Sequence, residues 1–124
     1  MIDLHCHILP GFDDGPKTVG ESLQMVRIFL RADYGQIVAT PHLVPGTIWM
    51  PSLKQIRDRL AELNRVINAE GLEFDVLPGM EIAFDRIIPD LLDQGRLLTI
   101  AETSYVLIEP PFQQPHDSGT VLDF

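Results

Sequence analysis

Short apolar runs alternate with longer amphipathic stretches along this chain, and the short runs lead into histidines or carboxylates. Residues 2–4 run into His5 and His7, 37–40 into His42, 76–77 into Glu81, and 105–108 into Glu109. Thr18 and Glu21 have capping-box spacing and open a helix whose Leu23, Val26, Phe29 and Leu30 share one face, with Gly35 as its stop. Ser52 and Gln55 repeat the signal, and Leu53, Ile56, Leu60, Leu63, Val66 and Ile67 recur at helical spacing up to Gly71. A third, shorter helix is predicted over 87–94, with Pro89 near its start. Strands are predicted over 2–6, 36–40, 75–77 and 105–108, and residues 43–51 form a loop holding the only tryptophan, Trp49. Pro10-Gly11 and Asp14-Gly15-Pro16 make a further ordered loop. The segments approach the roughly 30-residue size of a strand-helix-strand unit, which predicts an α/β fold of parallel strands with flanking helices. The C-terminal ends of such strands lie along one edge, where the histidines and carboxylates would converge.

Composition narrows the picture. At 124 residues the chain allows one domain, 1–124, and its formal net charge of -9 argues against a broad nucleic-acid footprint and against docking on anionic lipid. A single cysteine excludes an intrachain disulfide and fits a reducing compartment. Asp3 and His5 stand where a secretion signal needs a basic end, and no run is long enough to span a bilayer. A cytoplasmic protein without membrane insertion is the expectation.

Taken singly, the polar residues are ambiguous. His5 and His7 would lie on one side of a strand, about 6.6 Å apart for a rise of roughly 3.3 Å per residue, so they are either a metal pair or two hydrogen-bonded strand-end residues. Asp14 sits in an Asp-Asp-Gly-Pro turn and can simply bond its own backbone, and Asp13 has no better claim. His42, Glu81 and Glu109 could be solvated strand ends. A surface-turn explanation gives no reason, however, for ligand-type residues to recur at the same end of successive strands. Three imidazoles with three carboxylates indicate an oxygen-tolerant centre for Mn, Fe or Zn rather than a thiolate zinc site. Six groups exceed the needs of one tetrahedral ion, so more than one ion is implied, with Glu81 able to bridge. Such a centre acidifies water and neutralises a phosphate oxyanion, which is the chemistry of phosphoester hydrolysis.

The opening Asp-Leu-His-Cys-His-Ile-Leu-Pro-Gly-Phe-Asp-Asp-Gly-Pro-Lys-Thr, then Ala-Thr-Pro-His, Leu-Pro-Gly-Met-Glu-Ile and Leu-Ile-Glu-Pro-Pro-Phe, resemble the PHP-type (polymerase and histidinol phosphatase) bacterial tyrosine phosphatases of capsule and exopolysaccharide loci. The resemblance runs in order from Met1 to about Phe112. It implies a distorted TIM-like barrel, of which this chain would hold about four strands as a single incomplete PHP domain. By the same resemblance the complete site takes three ions, usually manganese or iron, and hydrolyses phosphotyrosine on a partner tyrosine kinase through a metal-bridging hydroxide. His5 and His7 would bind one ion, Glu81 would bridge it to a second held by Glu109, and Asp14 and His42 would bind the third.

The departures matter equally. The family's second half supplies a His-Pro-Glu-Arg motif and a late Asp-x-His, and neither occurs here. His116 follows Glu109 by only seven residues, too close to stand for the histidine of a next strand, and takes no role. An incomplete barrel would leave residues 105–108 as an apolar edge strand, so self-association or a complementing chain is expected. Histidinol-phosphatase-like or other phosphoesterase activity, and an inactive remnant that keeps metal or kinase binding, stand as alternatives. A cysteine-dependent phosphatase does not fit: in a His-Cys-x5-Arg loop the arginine position is occupied by Phe12, and Cys6 points away from His5 and His7. Lys17, beside Asp14 in the loop, is a candidate phosphate contact. Arg27, Arg31, Arg57, Arg59 and Lys54 read as solvated helix faces. Trp49, Phe84 and Phe112 either line an entrance for an aromatic substrate or pack in core or interface.

Overall fold

The structure is a computed structural model that describes residues 1–111, so Phe112 and His116 lie outside the described residues. The elements in chain order are β1 (Ile2–Cys6), α1 (Val19–Arg31), β2 (Gln36–Ala39), β3 (His42–Leu43), α2 (Leu53–Ala69), β4 (Asp75–Leu77), β5 (Glu81–Ala83), α3 (Ile88–Asp93), a 3-10 turn (Ile100–Glu102) and β6 (Leu107–Glu109). All strand pairings among them are parallel, in two sheets ordered β1-β2-β4 and β3-β5-β6. The fold is therefore α/β with parallel strands, as the alternation of apolar runs and helices predicts. Six strands replace the four expected.

The two added strands arise because two of the expected strands resume beyond a proline. Pro41 separates β2 from β3, and Pro78-Gly79 separates β4 from β5. Proline supplies no N–H to a ladder, so the strand must stop and restart. The register survives the break: Val38 pairs with Leu77 before it and His42 with Glu81 after it, the same offset on both sides. Glu81 N–H donates to the Pro41 carbonyl at 3.0 Å across the gap. Gly79 is needed here, because a Cβ at that position would come 2.7 Å from Val38 Cγ1 and 3.1 Å from the Ala39 carbonyl oxygen. His42 and Glu81 thus open new strands rather than ending old ones. The last strand is also shifted: β6 spans Leu107–Glu109, and Tyr105 is 73% exposed outside it.

Both long helices form where their caps predict. Thr18 accepts from Glu21 N–H, although the Glu21 carboxylate turns to Lys17 N–H instead of closing the box. Ser52 and Gln55 close theirs completely, each side chain bonding the other's backbone N–H. Val26 of α1 and Ile56, Leu60, Leu63 and Ile67 of α2 are buried against Ile37, Val76 and Ile82 of the sheets and against Met80 between β4 and β5. Asn64 of α2 donates to the Val76 carbonyl at 2.9 Å and accepts from Val76 N–H at 3.0 Å, which satisfies the outer edge of β4. Just past the end of β2, Thr40 ties that central strand to β1: its N–H donates to the Cys6 carbonyl, and its hydroxyl accepts from Cys6 N–H. These contacts fix where β1 ends and hence where His7 begins.

Candidate metal centre

All six predicted ligands meet at one edge of the strands. His5 lies in β1 and His7 just past it, His42 and Glu81 open β3 and β5 as register partners, and Glu109 closes β6. Asp14 comes from the loop that follows β1. Glu81 is the hub and is buried. Its Oε2 lies 3.1 Å from His5 Nε2, and its Oε1 lies 3.0 Å from His7 Nε2 and 3.4 Å from His42 Nδ1. His42 Nδ1 also lies 3.5 Å from Glu109 Oε2, while His42 Nε2 faces Asp14 Oδ1 at 3.8 Å. The rings are ordered as well as close: His7 and His42 stack at 4.3 Å, and Trp49 continues the column on His42 at 5.0 Å and 15°.

The chemistry of this donor set fits metal ions. Donors about 2.1 Å from a shared ion stand roughly 3.0–3.4 Å apart, the separation found around Glu81. Three groups have mutually close donor atoms: His5, His7 and Glu81; His42, Glu81 and Glu109; and His7, Asp13, Asp14 and His42. Glu81 belongs to two of them. The buried Nδ1 of His42 has no hydrogen-bond partner among the described residues, though two carboxylate oxygens lie just beyond it. A buried polar atom left so is costly unless something else satisfies it, and an ion shared with Glu81 and Glu109 would do so. The arrangement places His42 beside Glu109 as much as beside Asp14, where the family resemblance groups it with Asp14 alone.

Asp13 is the residue that sequence reasoning passed over. It is buried, and its Oδ2 lies 3.1 Å from His7 Nδ1 and accepts from His42 N–H at 3.0 Å, while its Oδ1 accepts from Gly15 N–H at 3.0 Å. Burial alone would push this carboxyl up, but the bonds from His7, His42 and Gly15 outweigh it and hold the acid at about 2. The same bond from Asp13 raises His7 above the ordinary histidine range, against the lowering effect of its burial. An Nδ1–H donated to Asp13 leaves His7 Nε2 turned to Glu81 as a ligand atom, the carboxylate-histidine arrangement common behind bound metals. Asp13 and Asp14 are adjacent and identical in type, so only the turn geometry separates them. Gly15 allows that turn, since a Cβ there would lie 2.3 Å from the His7 carbonyl oxygen.

The remaining candidates are placed as follows. Cys6 is buried, and burial with the nearby Asp3 and Asp13 charges pushes its thiol up to about 12, so it stays protonated and inert. Lys17 is exposed, and its backbone N–H donates to Glu21. Arg27 pairs with Glu70 at 3.4 Å and Lys54 with Asp58, both on exposed helix faces. No helix among the described residues is long and apolar enough to cross a membrane.

Comparison with known proteins places the chain. It is 38% identical over 112 residues to the tyrosine-protein phosphatase YwqE of Bacillus subtilis (strain 168), a match covering 90% of this chain and 44% of that protein. It is 28% identical over 109 residues to the tyrosine-protein phosphatase CpsB of Streptococcus pneumoniae, covering 88% of this chain and 44% of the relative. A solved structure from work on YwqE and CpsB, described as metal-dependent tyrosine phosphatases, superposes with a TM-score of 0.86 at 35% identity and covers 98% of this chain and 49% of its own. The chain thus spans less than half the length of these curated relatives. The profile described as Capsular polysaccharide synthesis, CpsB/CapC, matches residues 1–121, nearly the whole sequence, and the chain belongs to that family.

Proposed function

We propose that this chain carries the metal-binding part of a protein-tyrosine phosphatase that hydrolyses phosphotyrosine on a tyrosine kinase of capsule or exopolysaccharide synthesis. The observation that carries this reading is Glu81, buried and within 3.4 Å of three imidazoles, with His42 Nδ1, which has no hydrogen-bond partner among the described residues, between it and Glu109. His5, His7, Asp14, His42, Glu81 and Glu109 would hold more than one ion, Mn or Fe before Zn, because the donors are imidazole and carboxylate without thiolate. Bound ions would supply Lewis-acid charge for a phosphoryl oxygen and a water acidified toward neutrality. The protein's own part is positional. Asp13 orients His7 and the backbone of His42, and the two oxygens of the buried Glu81 face the three imidazoles, His5 on Oε2 and His7 and His42 on Oε1. Lys17, in the same loop as Asp14, is the cation proposed to meet a phosphate oxygen.

The parallel orders β1-β2-β4 and β3-β5-β6 support reading the fold as the first part of a distorted TIM-like barrel, one incomplete PHP domain over 1–124. A single buried cysteine supports a cytoplasmic setting. Because the chain spans less than half of its relatives, a second reading is metal or kinase binding without turnover.

One experiment separates these. Metal content per chain is measured after loading with Mn, and the same sample is assayed on a phosphotyrosine peptide and on histidinol phosphate, beside a His5→Ala, His7→Ala control. Bound metal with peptide hydrolysis that the control abolishes is the expected result. Preference for histidinol phosphate would move the reading to another phosphoesterase, and metal without turnover would select the binding remnant. Absence of stoichiometric metal would overturn the metal reading altogether.

A further inference from the structure

A slot of about 310 Å³ adjoins the candidate metal centre, with His42 and Glu109 at one end and Trp49, Phe84, Pro110 and Pro111 among its walls. That volume is at the small end of the roughly 300–1,000 Å³ found for ligand sites and is enough for an aromatic side chain. Its lining is uneven in chemistry: the ion-holding His42 and Glu109 lie together, 3.5 Å apart, and the other lining residues are apolar. We propose that this slot seats the phenol ring of a phosphotyrosine residue whose phosphate lies at the metal centre, and that Trp49 is its specificity-determining wall. The proposal rests on the phosphatase reading above for where the phosphate sits.

Three observations support it. Among the described residues Trp49 is half-buried, yet it belongs neither to the hydrophobic core nor to the apolar side chains packed against that core, so core packing does not account for a large aromatic here. Its position is fixed by a tightly bonded loop. The Trp49 carbonyl accepts from Val44 N–H at 2.7 Å, its N–H donates to the Thr47 hydroxyl at 3.1 Å, and that hydroxyl donates to the Val44 carbonyl at 2.7 Å. Gly46, at φ 80°, permits the turn. The indole also stacks on His42, which brings the wall directly against the groups at the slot's polar end. A flat ring entering beside Trp49 would gain offset or edge contact while carrying its phosphate inward. A phosphoserine side chain, with its phosphate one methylene from the backbone, could not fill the slot and reach that end together.

Trp49 is the sole tryptophan, so its emission reports the slot without any turnover. The Mn-loaded chain is titrated with phenyl phosphate, ethyl phosphate and inorganic phosphate, with binding followed by Trp49 fluorescence and by calorimetry. Phenyl phosphate is expected to perturb the emission and to bind about tenfold more tightly than ethyl phosphate. Trp49→Ala is expected to erase most of that ratio in calorimetry, Trp49→Phe to restore it, and Phe84→Ala to reduce it. Equal affinities of the aryl and alkyl esters in the wild type would overturn the slot while leaving the phosphatase reading intact. So would a Trp49→Ala variant that loses metal but keeps the ratio, since Trp49 would then only prop His42. If no Mn binds, the phosphatase reading fails by itself. The slot is then tested with N-acetyltyrosinamide, whose failure to perturb Trp49 emission would overturn it too.

Discussion

A single carboxylate bonds two of the three histidines, one at its ring and one at its backbone, and it is not one of the six expected ligands. Asp13 bonds His7 at Nδ1 and the backbone of His42, and its hydrogen bond to Gly15 closes the turn that buries it. The Asp13→Asn variant keeps the shape but removes the charge and forces an amide to choose between donating and accepting. We expect Mn affinity to fall about 10- to 100-fold, with the fold retained by circular dichroism, as for other groups that stand behind metal-bound histidines. An unchanged Mn titration would show that the turn alone positions His7. Sequence could not separate Asp13 from Asp14, because a turn carboxylate bonding its own backbone explains either one. The decision lies in the close approach of Gly15 to the His7 carbonyl, where a Cβ would come within 2.3 Å of the oxygen. By contrast, His5, His7, His42, Glu81 and Glu109 were legible because each follows an apolar run, and the runs are what the sheets bring together.

At the scale of elements, legibility followed length. Both long helices have caps and apolar stripes that reveal them, and the structure starts each immediately after its predicted cap. β3 and β5 have two and three residues, begin with a histidine and a glutamate, and sit behind prolines, so no local signal marks them as strands. What makes them strands is the continuing register of β2 with β4 across the break. The edges of the sheets are treated unequally. Asn64 satisfies the backbone of Val76 in β4, whereas β6 pairs with β5 on one side and has no strand partner on the other among the described residues. Leu107 and Ile108 there are half-buried, and Tyr105 beside them is exposed. An uncovered parallel edge recruits another chain. We therefore expect this chain to self-associate through β6, with a weight-average mass in sedimentation equilibrium that rises with concentration. A mass that stays monomeric across the accessible range would show that the edge is covered.

For the whole molecule, the centre makes stability a function of both metal and pH, with opposite signs. Consider first the chain in chelator. His7 has a raised folded pKa, so its contribution is complete below the unfolded value of 6.5 and is lost as pH rises through the folded value. Asp13 is held at about 2, so its contribution is present above the unfolded value of 3.8 and is lost as pH falls toward 2. The pair therefore supports the metal-free chain best between those two unfolded values. Metal acts in the other direction, because imidazoles must shed their protons to bind it, and at a net charge of -9 the clustered carboxylates favour a cation once they do. Mn at a hundred times its dissociation constant adds about 2.7 kcal/mol, on the order of 10 °C in melting temperature for a domain of this size. Raising the pH from about 6 to about 8 should thus lower the melting temperature in chelator while widening the gap that Mn opens. Glu81→Gln removes the carboxylate shared by two of the donor groups and should collapse that gap at every pH. If the gap instead stays constant with pH, or survives in Glu81→Gln, the ions that stabilise the chain are not held by these histidines and this glutamate.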